Sequence, residues 1–177
     1  MAEIRATRKD SKTGIVATKR VLVDDSDYGW LNLWAWHWLD SGYIFREENR
    51  RGKRKAIYLH RVIMDTPAGM NVDHKDHDKS NNRRANLRNC TYSENARNQL
   101  PQGGSSRYKG VCWDNRDKKW RADIQHNGKG IYLGLFTDDL DAAEAYDRAA
   151  VKYHGEFACL NNIIPAGETG MLFQDTG

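Results

Sequence analysis

Residues 72–98 read VDHKDHDKSNNRRANLRNCTYSENARN. Histidine and aspartate crowd its start, arginine and asparagine fill the rest, and almost nothing in it can enter a hydrophobic core. A folded chain accommodates such a stretch as a disordered polar linker, as a metal-bound structural knuckle, or as a site that handles something negatively charged. Whichever holds, the cores must be assembled from the segments on either side of it.

Those flanks suffice for small cores. Of 177 residues 39% are hydrophobic, including six Trp, eight Tyr and four Phe, which suits one or two small aromatic-rich domains rather than one large one. Mean hydropathy is −0.84, and no apolar run approaches the roughly 20 residues of a membrane helix. The N-terminus, MAEIRATRKDSKTG, lacks the apolar region of a secretory signal. Cys90, Cys112 and Cys159 form no CxxC pair, which argues against a disulfide framework and a Cys-based zinc site. These features predict an intracellular, cytoplasmic protein.

Net charge is only +4, but it is unevenly spread. REENRRGKRK (46–55) is strongly basic, residues 103–132 are basic, and residues 133–177 are acidic. A phosphate-binding face with an acidic back is the functional reading; an unevenly charged solvated surface is the plain one.

LPQGGSS (100–106) marks a linker between two regions, and the last residues, lacking periodicity, read as a loosely held tail. In the first region KRVLV (19–23) is expected to be a short strand and DDSDYG a turn. WLNLWAWHWLDSGYIFR alternates and breaks at Asp40-Ser41-Gly42, predicting a hairpin whose tryptophans pack a core. AIYLHRVIM (56–64) reads as a strand passing into a short helix. In the second region YKGVCWD, KWRADIQHNG and KGIYLGLF predict three short strands joined by hairpin loops. TDDLDAAEAYDRAAVKYHG predicts a helix capped by Thr137 or Asp138, with Ala142, Ala145 or Tyr146, Ala149 and Tyr153 on one face and Gly155 as its stop.

Asp73-His74 follows the apolar GMNV, and Asn95 lies in TYSENARN, a segment able to start a helix at Thr91 or Ser93. A strand end, a polar loop and a helix would bring carboxylate, imidazole and amide together, provided the strand ends or twists at the pair. The two oxygen donors, Asp73 and Asn95, suit Mg²⁺ or Mn²⁺ rather than zinc. A neutral His74 can take a proton from water.

YLHRVIM…VDHKDHDKSNNRRANLRNCTYSENARNQ, with VLVDDSDYGWL and GYIFR upstream, resembles the HNH endonucleases in the ββα-metal form of homing enzymes. The resemblance implies that Asp73 and Asn95 ligate the metal, that His74 is the general base, and that Asn86 holds the loop between strand and helix. Arg83, Arg84, Arg88 and Arg97 would contact phosphate, with the run at 50–55 extending that contact. His60, in LHR, also fits the family pattern and divides between packing and phosphate contact, while His77 is a loop residue or a second proton-transfer or metal group. His37, His126 and His154 have no constellation around them.

YKGVCWDNRDKKWRADIQHNGKGIYLGLFTDDLDAAEAYDRAAVKYHGEFACLN in turn resembles the AP2/ERF DNA-binding domain. That likeness implies a sheet laid in the major groove with the helix behind it. Arg107, Lys109, Trp113, Arg116, Lys119, Arg121 and Tyr132 become candidate DNA contacts, and Trp120 a packing residue. Cys112, Asp114, Gln125 and Gly130 stand where plant members carry arginine, so their base preference does not transfer.

The expectation is an α+β chain: a ββα-metal HNH nuclease domain with an N-terminal strand-rich part (1–99), a linker (100–106), an AP2-like three-stranded antiparallel sheet packed on one helix (107–162), and a tail (163–177). It would be a Mg²⁺- or Mn²⁺-dependent endonuclease acting on double-stranded DNA, a homing enzyme of phage or mobile-element origin working in a bacterial host cell. Monomer and homodimer both stay open, as do nicking and double-strand cleavage. The rival reading is a sequence-specific DNA-binding regulator with an inactive HNH region.

Overall fold

The computed structural model describes residues 2–101 and 103–161. The chain divides into two compact units, Met1–Ala96 and Arg97–Gly177.

The first unit opens with the hairpin β1 (Ala2–Lys9) and β2 (Val16–Val23), paired from Ala2↔Val23 to Lys9↔Val16. Every second residue near its base, Ile4 and Ala6 on β1, Val21 and Val23 on β2, is buried, as an alternating strand facing a core must be. Helix α1 (Asp25–Leu31) follows, then β3 (Trp36–Trp38), which runs parallel to β1. β4 (Ile44–Arg50) and β5 (Lys53–Tyr58) complete a five-stranded sheet in the order β2-β1-β3-β4-β5. The β3–β4 hairpin turns where expected, between Trp38 and Ile44. Trp36 is fully buried and its indole N–H donates to the Leu31 carbonyl at 2.9 Å, which satisfies the ring's polar edge inside the core. Trp30 and Trp38 pack against the same core, whereas Trp34 is half exposed with the Arg46 guanidinium 4.1 Å from its ring centroid.

The N-terminal residues form β1, a strand the sequence pattern did not mark individually. One local expectation fails. The stretch expected to be a turn, DDSDYG, is largely helical. Asp25 and Asp27 lie in the first turn of α1, where the helix dipole favours negative charge, and Leu31 anchors the far end in the core.

The rest of this unit is helix α2 (Leu59–Ile63), the antiparallel pair β6 (Asn71–His74) and β7 (Leu87–Cys90), and helix α3 (Tyr92–Arg97). Leu59, Ile63, Val72 and Leu87 join the core of the large sheet, so the polar stretch hangs from a few buried apolar anchors. The loop 75–86 docks on β2: the Leu22 N–H donates to the Ser80 carbonyl and the Asn82 N–H to the Leu22 carbonyl, both at 2.8 Å. At the start of α3, Thr91 and Glu94 form a reciprocal capping box, Oε2 of Glu94 accepting the Thr91 N–H at 2.8 Å and Oγ1 of Thr91 accepting the Glu94 N–H at 3.2 Å.

In the second unit β8 (Val111–Asp114), β9 (Lys119–His126) and β10 (Lys129–Phe136) form an antiparallel sheet in the order β10-β9-β8. Helix α4 (Asp139–His154) covers one face. Asp138 caps it by accepting the Leu140 N–H at 2.7 Å, and Gly155, at φ +55°, ends it. The helix buries Ala142, Ala143, Tyr146, Ala149, Ala150 and His154. Small side chains let it approach closely, and Gly110 shows how closely: a Cβ there would lie 1.9 Å from the Tyr146 ring. The architecture is thus α+β, as expected. The expected tail, 163–177, lies outside the described residues.

Candidate active site and nucleic-acid face

Asp73 and His74 are the last residues of β6, so the pair sits where strand gives way to loop. Both are buried. The His74 ring packs edge-on against His60 from α2, centroids 5.5 Å apart, and 6.3 Å from Tyr43. His60 also contacts Tyr43 and Tyr58, and these three side chains line an open cavity of about 330 Å³ together with Arg61, Asn71 and Asn95 of α3. Residues of β6, α2 and α3 therefore converge on one cavity, and His74 at the strand end packs against its His60 wall.

Burial, chiefly, and then the His74 ring and the cations Arg61 and Lys79 push His60 down from 6.5 to about 3, so it is neutral at physiological pH. His74 is also lowered, again mainly by burial, while Asn82 and the carboxylates of Asp76 and Asp73 pull the other way. Nε2 of His74 lies 3.4 Å from Oδ1 of Asn82. With Nε2–H donating to that oxygen, the ring's basic lone pair is on Nδ1. Asn82 is itself almost wholly buried, its amide donating to the Lys79 carbonyl at 2.9 Å. Tyr43 is raised by burial and then by the Asp73 carboxylate, which couples Asp73 electrostatically to the cavity wall.

The Asp73 carboxylate has an internal partner. Asp73 and Arg88 stand directly opposite across the β6–β7 pair, and Nε and Nη2 of Arg88 donate to Oδ2 at 2.8 and 2.6 Å. Arg88 was expected on phosphate; it is buried against Asp73 because a carboxylate at that depth needs a cation beside it. Arg84, also expected on phosphate, gives Nε and Nη2 to Asp27 of α1, each at 2.8 Å, and its backbone N–H to Asp24. Arg83 reaches Oδ1 of Asn81 at 2.9 Å. Arg97 lies 3.5 Å from Oδ1 of Asn127.

Asn86 spans the loop: its amide donates to Oδ1 of Asp76 and to the Asn81 carbonyl, both at 2.8 Å, and its Oδ1 accepts the Asp76 N–H at 3.1 Å. Asp76 and Asp78 carry further loop bonds, to Asn81 and to Ser80. His77 is an exposed turn residue at φ +64° and does not line the cavity. Sequence reasoning gave Asn82, Tyr43 and Tyr58 no role in the site, although all three fall inside the stretches that carry the resemblance; only the fold shows that they meet His74 and His60.

Asp73 and Asn95 offer a carboxylate and an amide oxygen, donors that fit a hard divalent ion such as Mg²⁺ or Mn²⁺. Among the described residues no three His, Cys, Asp or Glu side chains gather into a metal cluster. The three cysteines are free thiols.

On the second unit, strand register separates two faces. Trp113 pairs with Trp120, and Val111 with Ala122, on the face that packs against α4. The Trp113 and Trp120 rings meet edge-on at 5.0 Å. Trp113 is therefore a packing residue rather than the DNA contact expected. Lys109 departs too: its ammonium donates to the carbonyls of Arg97 and Gln99 and is partly buried. Lys119 and Arg121 lie on the opposite, outward face with Tyr132, which stacks 5.5 Å from the Arg121 guanidinium. Arg107 is exposed beside Tyr108, and Arg116 is exposed in the β8–β9 turn, paired with Asp117.

A ββα element with Asp-His at its strand end, packed beside a cavity lined by His60 and Asn95 and followed by a three-stranded sheet backed by one helix, is the architecture of two DNA-acting modules. The comparisons agree. The model of the HNH endonuclease family matches residues 58–97, and that of the AP2 domain matches 106–156. An uncharacterised HNH endonuclease of Acanthamoeba polyphaga mimivirus is 30% identical over 131 residues, 73% of this chain and 68% of that protein. The chain belongs to the HNH endonuclease family. An AP2-like ethylene-responsive transcription factor of Arabidopsis thaliana is 45% identical over 64 residues, and APETALA2-like protein 2 of Oryza sativa 44% over 61. Those matches cover 36% and 34% of this chain but only 13% and 14% of the plant proteins. No solved structure gives a significant match.

Proposed function

We propose that the chain is a divalent-metal-dependent endonuclease that hydrolyses a DNA phosphodiester in the cavity between β6, α2 and α3. The AP2-type unit brings it to its site. The observation that carries the reading is the buried His74 at the end of β6, beside Asn82 and packed against His60, which lines the cavity together with Asn95. His74 takes a proton from a water through Nδ1 as that water's oxygen forms a bond to phosphorus. The bond to the leaving 3′ oxygen then breaks. Asp73 and Asn95 would hold the metal, which when bound supplies charge stabilisation at the phosphate and the leaving oxygen. Asn86 keeps the loop closed beneath the site, and Asn82 keeps the imidazole aimed. Arg83 in the first unit, and Arg97, Arg107, Arg116, Lys119, Arg121 and Tyr132 in the second, are the proposed contacts to DNA. The likeness to the mimivirus HNH endonuclease supports a viral setting, and a homing or mobile-element role inside the host cytoplasm is part of the same proposal. Among the described residues no helix is long and apolar enough to cross a membrane.

A plasmid nicking assay tests this. Cleavage is expected with Mg²⁺ or Mn²⁺, none with EDTA, and a loss of about 100-fold or more for His74→Ala, the range of a lost general base. Intact plasmid under all conditions, despite tight binding, would leave the DNA-binding regulator as the function.

A further inference from the structure

We propose that the buried Asp73–Arg88 ion pair makes metal binding conditional on DNA: the free protein holds its metal-binding carboxylate neutralised, and only a bound phosphate restores the charge that draws in the cation. The proposal rests on the reading of Asp73 as the carboxylate that holds the ion.

The two residues face each other across β6 and β7, at 6% and 9% exposure. Both Nε and Nη2 of Arg88 reach Oδ2 of Asp73, at 2.8 and 2.6 Å. A pair at that depth is only weakly screened by solvent, so Arg88 largely cancels the field Asp73 would exert on a cation. Around the pair, charges of both signs offset one another: the carboxylates of Asp76 and Glu94 act on His74 and Cys90, while Arg61 lines the cavity, its guanidinium donating to the carbonyls of Met70 and Pro67. The Lys79 ammonium sits 4.3 Å over the Tyr43 ring, and His60, His74 and Asn95 contribute dipoles only. Among the described residues no second carboxylate joins Asp73 in a ligating group.

Mg²⁺ and Mn²⁺ must surrender part of a tightly held hydration shell to bind, and one neutralised carboxylate with an amide offers little in return. A DNA phosphate supplies the absent charge. Placed in the cavity it attracts the cation and competes for Arg88, which frees charge on Asp73 for the metal. Because linkage is reciprocal, metal and DNA then tighten each other's binding by one common factor.

The test is Mn²⁺ binding by the full chain, read by titration calorimetry or by the loss of the free-ion spin-resonance signal. It uses a His74→Ala background so that DNA survives. Titrations are run without DNA and with a mixed-sequence duplex, the duplex-alone binding being subtracted. Expected is an affinity about tenfold or more higher with the duplex, within the usual range of coupling between sites. Without DNA, Arg88→Met should bind Mn²⁺ about tenfold tighter than its parent, while Arg88→Lys, which keeps the cation, should not. Equal affinity with and without duplex overturns the proposal, and this comparison holds even where Arg88→Met does not fold. Asp73→Asn separates the two layers. If it abolishes Mn²⁺ binding but DNA has no effect, the coupling alone is wrong. If Mn²⁺ binding survives Asp73→Asn, the metal-site reading falls, and the coupling with it.

Discussion

At the scale of single residues, the site depends on groups that touch nothing reactive. Asn82 is one: it is buried, on a loop bonded to β2, and its amide oxygen faces Nε2 of His74. Asn82→Ala removes the acceptor that selects the tautomer with a basic Nδ1. We expect kcat to fall by about 100-fold, the cost of a misaimed catalytic group, with KM little changed. Asn82→Asp, which keeps an acceptor, should recover most of the loss; equal damage from both would reduce Asn82 to a fold-holding role. His60 makes a second, pH-dependent contribution. Its folded value of about 3 lies below the ordinary 6.5, so between these the unfolded chain binds the proton more readily. The stability His60 contributes is complete above pH 6.5 and is lost as pH falls toward 3. His60→Phe keeps the ring packing and removes the titration. Urea midpoints measured across that window should therefore fall less steeply for the variant than for the parent.

At the scale of elements, the hairpins and α4 are legible because alternation, turn residues and caps act locally; the Asp40-Ser41-Gly42 break, Asp138 and Gly155 all sit where the pattern places them. The cavity is legible only in part. Asp73, His74, Asn86 and Asn95 stand out by motif, yet which arginines face phosphate and which are spent inside depends on partners far along the chain. Arg84 meets Asp27 from α1, and Arg88 meets Asp73 across a strand pair whose register no local signal fixes. Much of the polarity of 72–98 is thus structural: a loop with little apolar surface closes by satisfying its own carboxylates and amides. In the second unit Gly110 is the element-scale constraint. Its φ is +74°, and a Cβ there would meet the Tyr146 ring and, at 2.8 Å, the Asp123 carbonyl. Gly110→Ala should destabilise this unit by on the order of 3 kcal/mol or more, from overpacking and backbone strain together. Chemical denaturation followed by circular dichroism checks this, and an unchanged midpoint would mean that β8 and α4 pack less tightly than described.

At the scale of the whole molecule, the proposed function puts two modules on one polyanion, and their contributions to binding should then separate by salt. The outward face of the second sheet carries Lys119, Arg121 and Tyr132 but also Asp114 and Asp123, and Nε of Arg121 is 2.7 Å from Oδ2 of Asp123. This face is not a uniform cation patch. Asp123 and the Tyr132 ring hold the Arg121 guanidinium in a fixed orientation, as suits a side chain that reads a defined acceptor pair, whereas Lys119 is an exposed point charge suited to phosphate. The two should therefore fail differently. Lys119→Gln is expected to weaken binding about equally on all duplexes and to flatten the slope of log affinity against log salt by about 1. Arg121→Gln should spare most of that slope and instead cost about 1–3 kcal/mol on a preferred site alone, narrowing the gap between specific and random DNA. Fluorescence anisotropy on both kinds of duplex at several salt concentrations measures the two effects in one experiment. If Arg121→Gln flattens the slope as Lys119→Gln does and leaves the preference intact, both cations serve phosphate, and selectivity must come from another surface.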